Sequence, residues 1–417
     1  PLRLVGSEMC IRDRYKARLI ARGNQALADV HYYDTYSGVV RMSTVRLLLA
    51  MAAASNWELT GADVPTAYLQ SWLHDVVVFC RCAPGHEIPG HVLRIWRSLY
   101  GLPQSAFEWG EELRGALLDF GFKRCHSDRH LYVWHESRGI LVICCWVDDI
   151  LQAHSCKAMR DEFMLFMKRF NITDLGPLER ALGCDVKQDI VNGTVHFSLR
   201  GYIRDAFRRL ELPEKHVDTP STAALVKALK AATPPTDPGE QTRLASLYPV
   251  VSGISTFVAS TARPDVAYYV WLGASYANRG GKGPTAAGYA FLVRLMQYLW
   301  TTADLAIVYR RGESYTSGGM FSPGDESSEQ PHAVADASLA TPRSVAAWAF
   351  FMAGAAVFWK VMANLDPSLS SGEAEFYALT SAIATSVHMR QLTEELYYEW
   401  LSPCLLYTSP SPRDVEE

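Results

Sequence analysis

Two adjacent carboxylates, Asp148 and Asp149, sit between the apolar runs Leu141-Val-Ile-Cys-Cys-Trp146-Val and Ile150-Leu-Gln152. Both runs are rich in β-formers, so the pattern predicts a hairpin with the acids at its tip. Acids so placed repel each other unless a cation or a basic partner lies between them. A solvated turn is the other reading, and the dipeptide alone does not choose between them. A third acid, Asp63, ends the apolar stretch that begins at Trp57, and Pro65 stops that strand just beyond it.

The elements that must position these acids are partly legible. Ser43 to Trp57 has helical character, with Thr44 as a cap and Leu47, Leu48, Met51 and Ala54 along one face. Asp75 to Cys82 reads as a strand. Gly101 and Pro103 predict a turn, followed by a helix that runs to Phe120 and is capped by Gly121. Near the start, Tyr15-Lys16-Ala-Arg18-Leu-Ile-Ala-Arg22 alternates apolar and basic residues. One cationic strand face would suit phosphates, and a solvated edge strand would look the same. Val345 to Trp359 reads as two buried strands around a Met-Ala-Gly turn rather than as a membrane span. Pro213 to about Glu240 and Gly312 to Pro331 read as linkers.

At 417 residues, with 49% hydrophobic and 20% charged residues, the chain has room for two or three domains and a sizeable core. A net charge of −4 excludes a simple basic nucleic-acid binder but allows an enzyme with a local basic channel. Nine cysteines show no zinc-site spacing, and their odd count suits free thiols.

The two ends share an unexpected relation. Met9-Cys-Ile-Arg-Asp13 can be written ATG TGT ATA AGA GAC. The reverse complement of that string lies inside TGT CTC TTA TAC ACA TCT, which encodes Cys404-Leu-Leu-Tyr-Thr-Ser409. One adapter-like DNA sequence read on opposite strands accounts for both. Residues 1–14 and 402–417 are therefore expected to be artefacts outside the fold, and the natural chain is expected to extend past both ends.

The order of the motifs carries a resemblance. Asp63-Val-x-Thr-Ala-Tyr68-Leu, then Leu99-Tyr-Gly-Leu-x-Gln104-Ser-Ala, then Trp146-Val-Asp148-Asp149-Ile-Leu resembles the reverse transcriptase of copia-type LTR retrotransposons. Tyr15 to Gly23, Val39 to Ala50, and Thr261-Ala-Arg-Pro-Asp265 are similar to the same family. Val334-Ala-Asp336-Ala-Ser338 and Leu369-Ser-Ser-Gly-Glu373-Ala-Glu375 resemble the RNase H domain that follows the polymerase there. The implied fold class is α+β: a palm/fingers/thumb polymerase truncated in its fingers (15–212), a thumb or connection segment (213–331), and a partial RNase H-like α/β domain (332–401).

What the resemblance implies chemically is RNA-directed DNA synthesis with two Mg²⁺ ions per site, or Mn²⁺ in their place. Mg²⁺ prefers oxygen ligands and keeps some of its waters, so a few carboxylates plus substrate phosphates suffice. By the family pattern Asp63, Asp148 and Asp149 are those carboxylates. Tyr68 would lie under the incoming sugar, Gln104 would contact the nucleotide, and Lys16, Arg18 and Arg22 would meet the triphosphate or template backbone. For hydrolysis of an RNA–DNA hybrid the family pattern selects Asp336 and Glu375, with Glu373 as the alternative to Glu375. A third RNase H acid is expected after the last helix, where the chain instead enters its adapter-like end. Trp146 stands where the family usually has Tyr, a change expected to affect primer-end packing more than metal binding.

Expected partners are an RNA template, a DNA primer, their hybrid and deoxynucleoside triphosphates. No membrane is expected. Protease, integrase and capsid would be encoded elsewhere in the polyprotein. Cytoplasmic virus-like particles with a nuclear phase are the expected location. The competing expectation is a catalytically dead remnant that at most binds nucleic acid.

Overall fold

The computed structural model describes residues 2–6, 17–74, 76–82, 85–277, 283–312, 331–339, 344–364, 367–396 and 405–408, with backbone alone for 2–6, 17–18 and 405–408. The chain forms two compact units, residues 1–41 with 59–177, and residues 42–58 with 178–417. The boundary at 177/178 falls inside the stretch 15–212 that the motifs predict as one domain.

In the first unit, β1 (Leu2–Gly6) and β2 (Ala17–Ala21) pair antiparallel. Helix α1 (Met42–Ser55) intervenes and belongs to the second unit. There follow β3 (Glu58–Asp63), β4 (Val78–Cys80), β5 (Leu93–Ile95) and helix α2 (Ser105–Phe120). Then come β6 (Lys123–Arg124), β7 (Leu131–Glu136), β8 (Gly139–Trp146), β9 (Asp149–His154), helix α3 (Lys157–Met167) and β10 (Thr173–Pro177). Six strands form one sheet in the order β10-β3-β9-β8-β7-β6, and β4 with β5 makes a separate two-stranded ribbon. The Asp75–Cys82 expectation thus shortens to the three residues of β4.

Strands β8 and β9 are buried along nearly their whole length, so both of their faces are covered and their sequences read as continuous apolar runs. Trp109, Leu113 and Leu117 of α2 and Met159, Phe163 and Met167 of α3 pack on Leu141, Ile143, Cys145 and Ile150 of the sheet. Phe120 fills the seam, with ring centroids 4.8 Å from Trp134 and 4.6 Å from Phe166. Gly121 caps α2 at φ 118°, a conformation that carries no Cβ penalty in glycine.

The second unit continues with β11 (Arg180–Ala181), β12 (Cys184–Asp189), β13 (Thr194–Ser198), α4 (Arg200–Arg209), α5 (Ala223–Ala231), α6 (Pro238–Thr261), α7 (Ala267–Ser275), α8 (Ala286–Thr301) and β14 (Ile307–Arg310). It ends with β15 (His332–Ser338), β16 (Val345–Met352), β17 (Ala355–Ala363), α9 (Ser371–Leu396) and β18 (Leu405–Thr408). Its two sheets run β11-β12-β13-β14 and β17-β16-β15-β18.

Helix α1 is buried all round from Ser43 to Ala53, the pattern of a helix wrapped by structure on every side. Thr44 lies inside it with no exposure, so it is not the cap expected from sequence. Arg46 pins the helix: its guanidinium donates to the carbonyls of Val357 (2.7 Å), Ser260 (2.7 Å) and Thr261 (2.8 Å). The same group lies 3.9 Å from the centroid of the Trp359 ring. Burial lowers its pKa to about 10, an unusual state for an arginine.

Two linker expectations change. The 213–240 stretch contains helix α5, capped by the Thr222 hydroxyl, which accepts from the Leu225 N–H. The 312–331 stretch lies, apart from Gly312 and Pro331, outside the described residues. Helix α6 has the length and hydropathy of a membrane span, whereas the pattern at 345–359 was too short for one. Its buried Leu244, Tyr248, Val251 and Val258 make it a packed helix of this unit, beside α7 and α8. The 345–359 stretch forms β16 and β17 around a turn with Ala353 and Gly354 at positive φ, as the pattern predicts.

Two segments set aside as artefacts take up strand pairing, β1 against β2 and β18 parallel to β15. Backbone pairing reads no side chains, and an open strand edge accepts an extended apolar segment of any origin.

Candidate active site

Strand β3 delivers Asp63 at its last residue, and the β8–β9 hairpin delivers Asp148 and Asp149. Trp146 pairs with Asp149, which leaves Val147 and Asp148 as a two-residue loop. Val147 has φ 57°, positive at the first loop position, as right-handed twist of the flanking strands demands. A β-branched residue is strained there, at a cost of about 1–3 kcal/mol. Two hydrogen bonds hold the loop against that strain. Trp109 Nε1 donates to the Val147 carbonyl at 2.7 Å, and the Val64 N–H donates to the Asp148 carbonyl at 2.9 Å. The second bond fastens the residue after Asp63 directly to the hairpin tip.

Asp149 senses both of the other acids. The pKa of Asp149 is raised to about 6, first by desolvation and then by the charges of Asp148 and Asp63. Oxygen donors that crowd together without a cation between them form a donor set suited to a hard divalent ion. Among the described residues no group of three or more His, Cys, Asp or Glu side chains is arranged to hold a metal ion. Mg²⁺ keeps waters and takes substrate phosphate oxygens, so these acids would supply part of its ligands and the substrate the rest.

Tyr68, in the helical turn Ala67–Gln70, packs its ring 5.2 Å from that of Tyr100. Burial raises its pKa, and the charge of Asp148 adds to the effect. Gln104 behaves otherwise. It is buried, with Nε2 donating to the His31 carbonyl at 3.1 Å and Oε1 enclosed without a partner. In this conformation its amide is enclosed in the protein interior, where the resemblance implies a nucleotide contact.

Arg22 is exposed and follows β2, whose Ala21 N–H donates to the Tyr100 carbonyl at 2.7 Å. Gly101 has φ 89°, and a Cβ there would stand 2.1 Å from the Ala21 carbonyl oxygen. That close approach holds Ala21, the residue before Arg22, against the Tyr100 turn. Lys16 lies outside the described residues, and only the backbone of Arg18 is described. Sequence reasoning missed Tyr100 and Trp109 as supports for this site. Their signals were present, in the Leu-Tyr-Gly turn and in a tryptophan early in α2, but neither tells which partner it meets.

In the second unit β15 carries Asp336 and α9 carries Glu375. The pKa of Glu375 is raised by burial and then by Asp336, and its Oε2 is enclosed without a hydrogen-bond partner. Glu373 has a different task. Its N–H donates to the Ser370 hydroxyl at 3.1 Å, and its carboxylate accepts from the Leu369 N–H, closing a helix cap. Beside β15, the residues of β18 are Leu-Leu-Tyr-Thr and bring no carboxylate.

Fold and site together set paired acids on a hairpin beside a third acid on a neighbouring strand, within a mixed helix-and-strand architecture. The reverse transcriptase (RNA-dependent DNA polymerase) family matches residues 6–223, and the chain belongs to that family. It is 28% identical over 404 residues to the retrovirus-related Pol polyprotein from transposon RE1 of Arabidopsis thaliana, covering 95% of this chain and 26% of that protein. Against the corresponding polyprotein of transposon TNT 1-94 from Nicotiana tabacum it is 25% identical, covering 93% of this chain and 28% of that one. The chain therefore spans about a quarter of these curated relatives. It is also similar to the putative transposon Ty5-1 protein of Saccharomyces cerevisiae, at 28% identity over 77% of this chain and 99% of that protein. A foamy viral protease-reverse transcriptase solved with an RNA/DNA hybrid aligns at TM-score 0.47 and 11% identity, over 96% of this chain and 44% of that one.

Proposed function

We propose that this part of a retrotransposon polyprotein copies RNA into DNA at Asp63, Asp148 and Asp149. The observation that carries the reading is the junction of two separate elements: β3 lies beside β9, and the Val64 N–H after Asp63 donates to the Asp148 carbonyl at 2.9 Å. Desolvation, and then the charges of Asp148 and Asp63, raise the pKa of Asp149 accordingly. Bound Mg²⁺ would neutralise those carboxylates and supply charge stabilisation for an in-line displacement at phosphorus. The chain's own residues do the rest. The three carboxylates hold the cations, and Tyr68, braced by Tyr100, forms the floor beneath the sugar of a deoxynucleoside triphosphate. Arg22, with Arg18 and Lys16 upstream, serves the triphosphate or the template backbone. In the second unit Asp336 and Glu375 are the pair that would hold metal against an RNA–DNA hybrid, and Glu373 acts as a cap. Residues 1–14 and 402–417 are read as adapter-encoded, which resequencing across both junctions tests.

The test of the main reading is Mg²⁺-dependent extension of a DNA primer on an RNA template by the full chain. Extension that is abolished in Asp148→Asn supports the assignment. Extension that persists in that variant refutes it, and no extension by the parent chain favours the binding-only remnant.

A further inference from the structure

The β4–β5 ribbon of the first unit shows an unusual outward face. Val78 pairs with Ile95 and Phe79 with Arg94, so alternation along the strands separates two faces. Val78 is buried and Ile95 half-buried. The opposite face carries Val77, Phe79 and Arg81 from one side and Val92, Arg94 and Trp96 from the other, all exposed. Phe79 is 59% exposed and Trp96 57%, values that an ordinary aromatic core residue does not show.

Cations stand over the rings of this region. The Arg94 guanidinium sits 3.6 Å from the Trp96 ring centroid, and that of Arg97 sits 4.2 Å from Trp72, itself 45% exposed. Within 69–99 the sequence has three arginines and three histidines against Asp75 and Glu87, inside a chain of net charge −4. The Glu87 carboxylate is turned back onto the Gly85 N–H at 2.9 Å.

The ribbon is rooted at the candidate polymerase site. Arg97 donates to the carbonyls of Leu69 (3.3 Å) and Gln70 (2.6 Å), in the helical turn that carries Tyr68. The Ser71 hydroxyl donates to the Tyr68 carbonyl at 3.1 Å, and the Leu73 N–H to the Trp96 carbonyl at 3.0 Å. A connected path thus runs from the Tyr68 turn through Ser71 and Arg97 to Trp72 and the Trp96 strand.

Exposed rings interleaved with arginines are the means by which a protein holds unpaired nucleic acid. Bases stack on rings and guanidinium planes, and phosphates meet the charge. We propose that this face is a platform for single-stranded RNA. Phe79, Trp96 and Trp72 take bases, Arg94 and Arg97 extend the stacks, and Arg81 takes phosphate. The RNA's identity as uncopied template rests on the polymerase reading, whereas its binding here does not.

The experiment is fluorescence anisotropy of the full chain with a labelled single-stranded oligo(rA), alongside an RNA–DNA duplex. The double variant Phe79→Ala/Trp96→Ala is expected to lose about tenfold in single-strand affinity and less than twofold in duplex affinity. Trp96→Phe, which keeps a ring, is expected to stay within about threefold of the parent. The binding readout requires no polymerisation, so failure of the polymerase reading leaves this measurement intact. Unchanged single-strand affinity in the folded double variant overturns the proposal. So does conversion of a dimer to monomers with RNA affinity unaltered, which would assign the face to a second copy. If the double variant does not fold, photocrosslinking of 4-thiouridine RNA to the parent chain decides. Crosslinks within 72–97 support the platform, and their absence there overturns it.

Discussion

Trp109 Nε1 donates to the Val147 carbonyl at 2.7 Å, so helix α2 grips the turn that presents Asp148 and Asp149. Trp109 is fully buried and meets Phe170 edge-on at 5.5 Å, which fixes the direction of the donor. Trp109→Phe keeps a ring but removes the donor, leaving a carbonyl under-satisfied beside a strained residue. Urea denaturation should show a loss of about 1–3 kcal/mol. Unchanged stability would mean that the bond does not restrain the turn.

Val147→Gly should act in the opposite direction at the turn itself. Glycine adopts positive φ without penalty, and its greater freedom in the unfolded chain offsets part of that gain. A net change between zero and about 1 kcal/mol of stabilisation is expected. Clear destabilisation in the same urea assay would show that the valine side chain, half-packed on the core, outweighs its backbone strain.

Asp149 makes the site sensitive to pH. Its folded-state carboxyl titrates at about 6 against an ordinary 3.8, so the folded chain holds an extra proton between those values. Without divalent ions, stability therefore falls as pH rises through that window. For a group this exposed, screening reduces the effect to about 1 kcal/mol. A cation competes with the same proton, so Mg²⁺ affinity should weaken on acidification below about pH 6. Titration calorimetry at pH 5 and 7.5 checks this, and equal affinities would exclude Asp149 as a ligand. Asp63→Asn should lower the Asp149 pKa, as followed by carboxyl ¹³C shifts.

Glu373 and Glu375 should separate cleanly. Glu373→Ala removes the partner of the Leu369 N–H and should cost about 1 kcal/mol of stability. Glu375→Gln removes a charge that Asp336 and burial both oppose, so stability should hold or rise. Thermal melts of the two variants give the comparison. Equal losses would contradict the division of roles.

Arg46→Met tests the pin on α1. It leaves the carbonyls of Val357, Ser260 and Thr261 without their shared donor, in a helix buried on every side. A loss of roughly 3 kcal/mol is expected by calorimetry. A loss under about 1 kcal/mol would show that water or a neighbouring group replaces the guanidinium.

The local devices were legible in the residues themselves. Alternating and continuous apolar runs mark β8 and β9, Gly121 marks the end of α2, and Ala353-Gly354 marks the turn between β16 and β17. Each depends on neighbours in the chain, where dihedral preference and burial period act directly. The acids themselves were also visible, as were the motifs that suggest a family.

Tertiary structure decided what those acids meet. Asp63 is 85 positions from Asp148, and only the neighbouring of β3 and β9 lets one carboxylate raise the pKa of another. Likewise only packing turns Gln104 inward to His31, sends Glu373 to a cap and Glu375 toward Asp336, and lays Arg94 on Trp96. Periodicity says which face of an element is apolar, whereas electrostatic coupling and stacking act through space between residues whose proximity the fold alone creates.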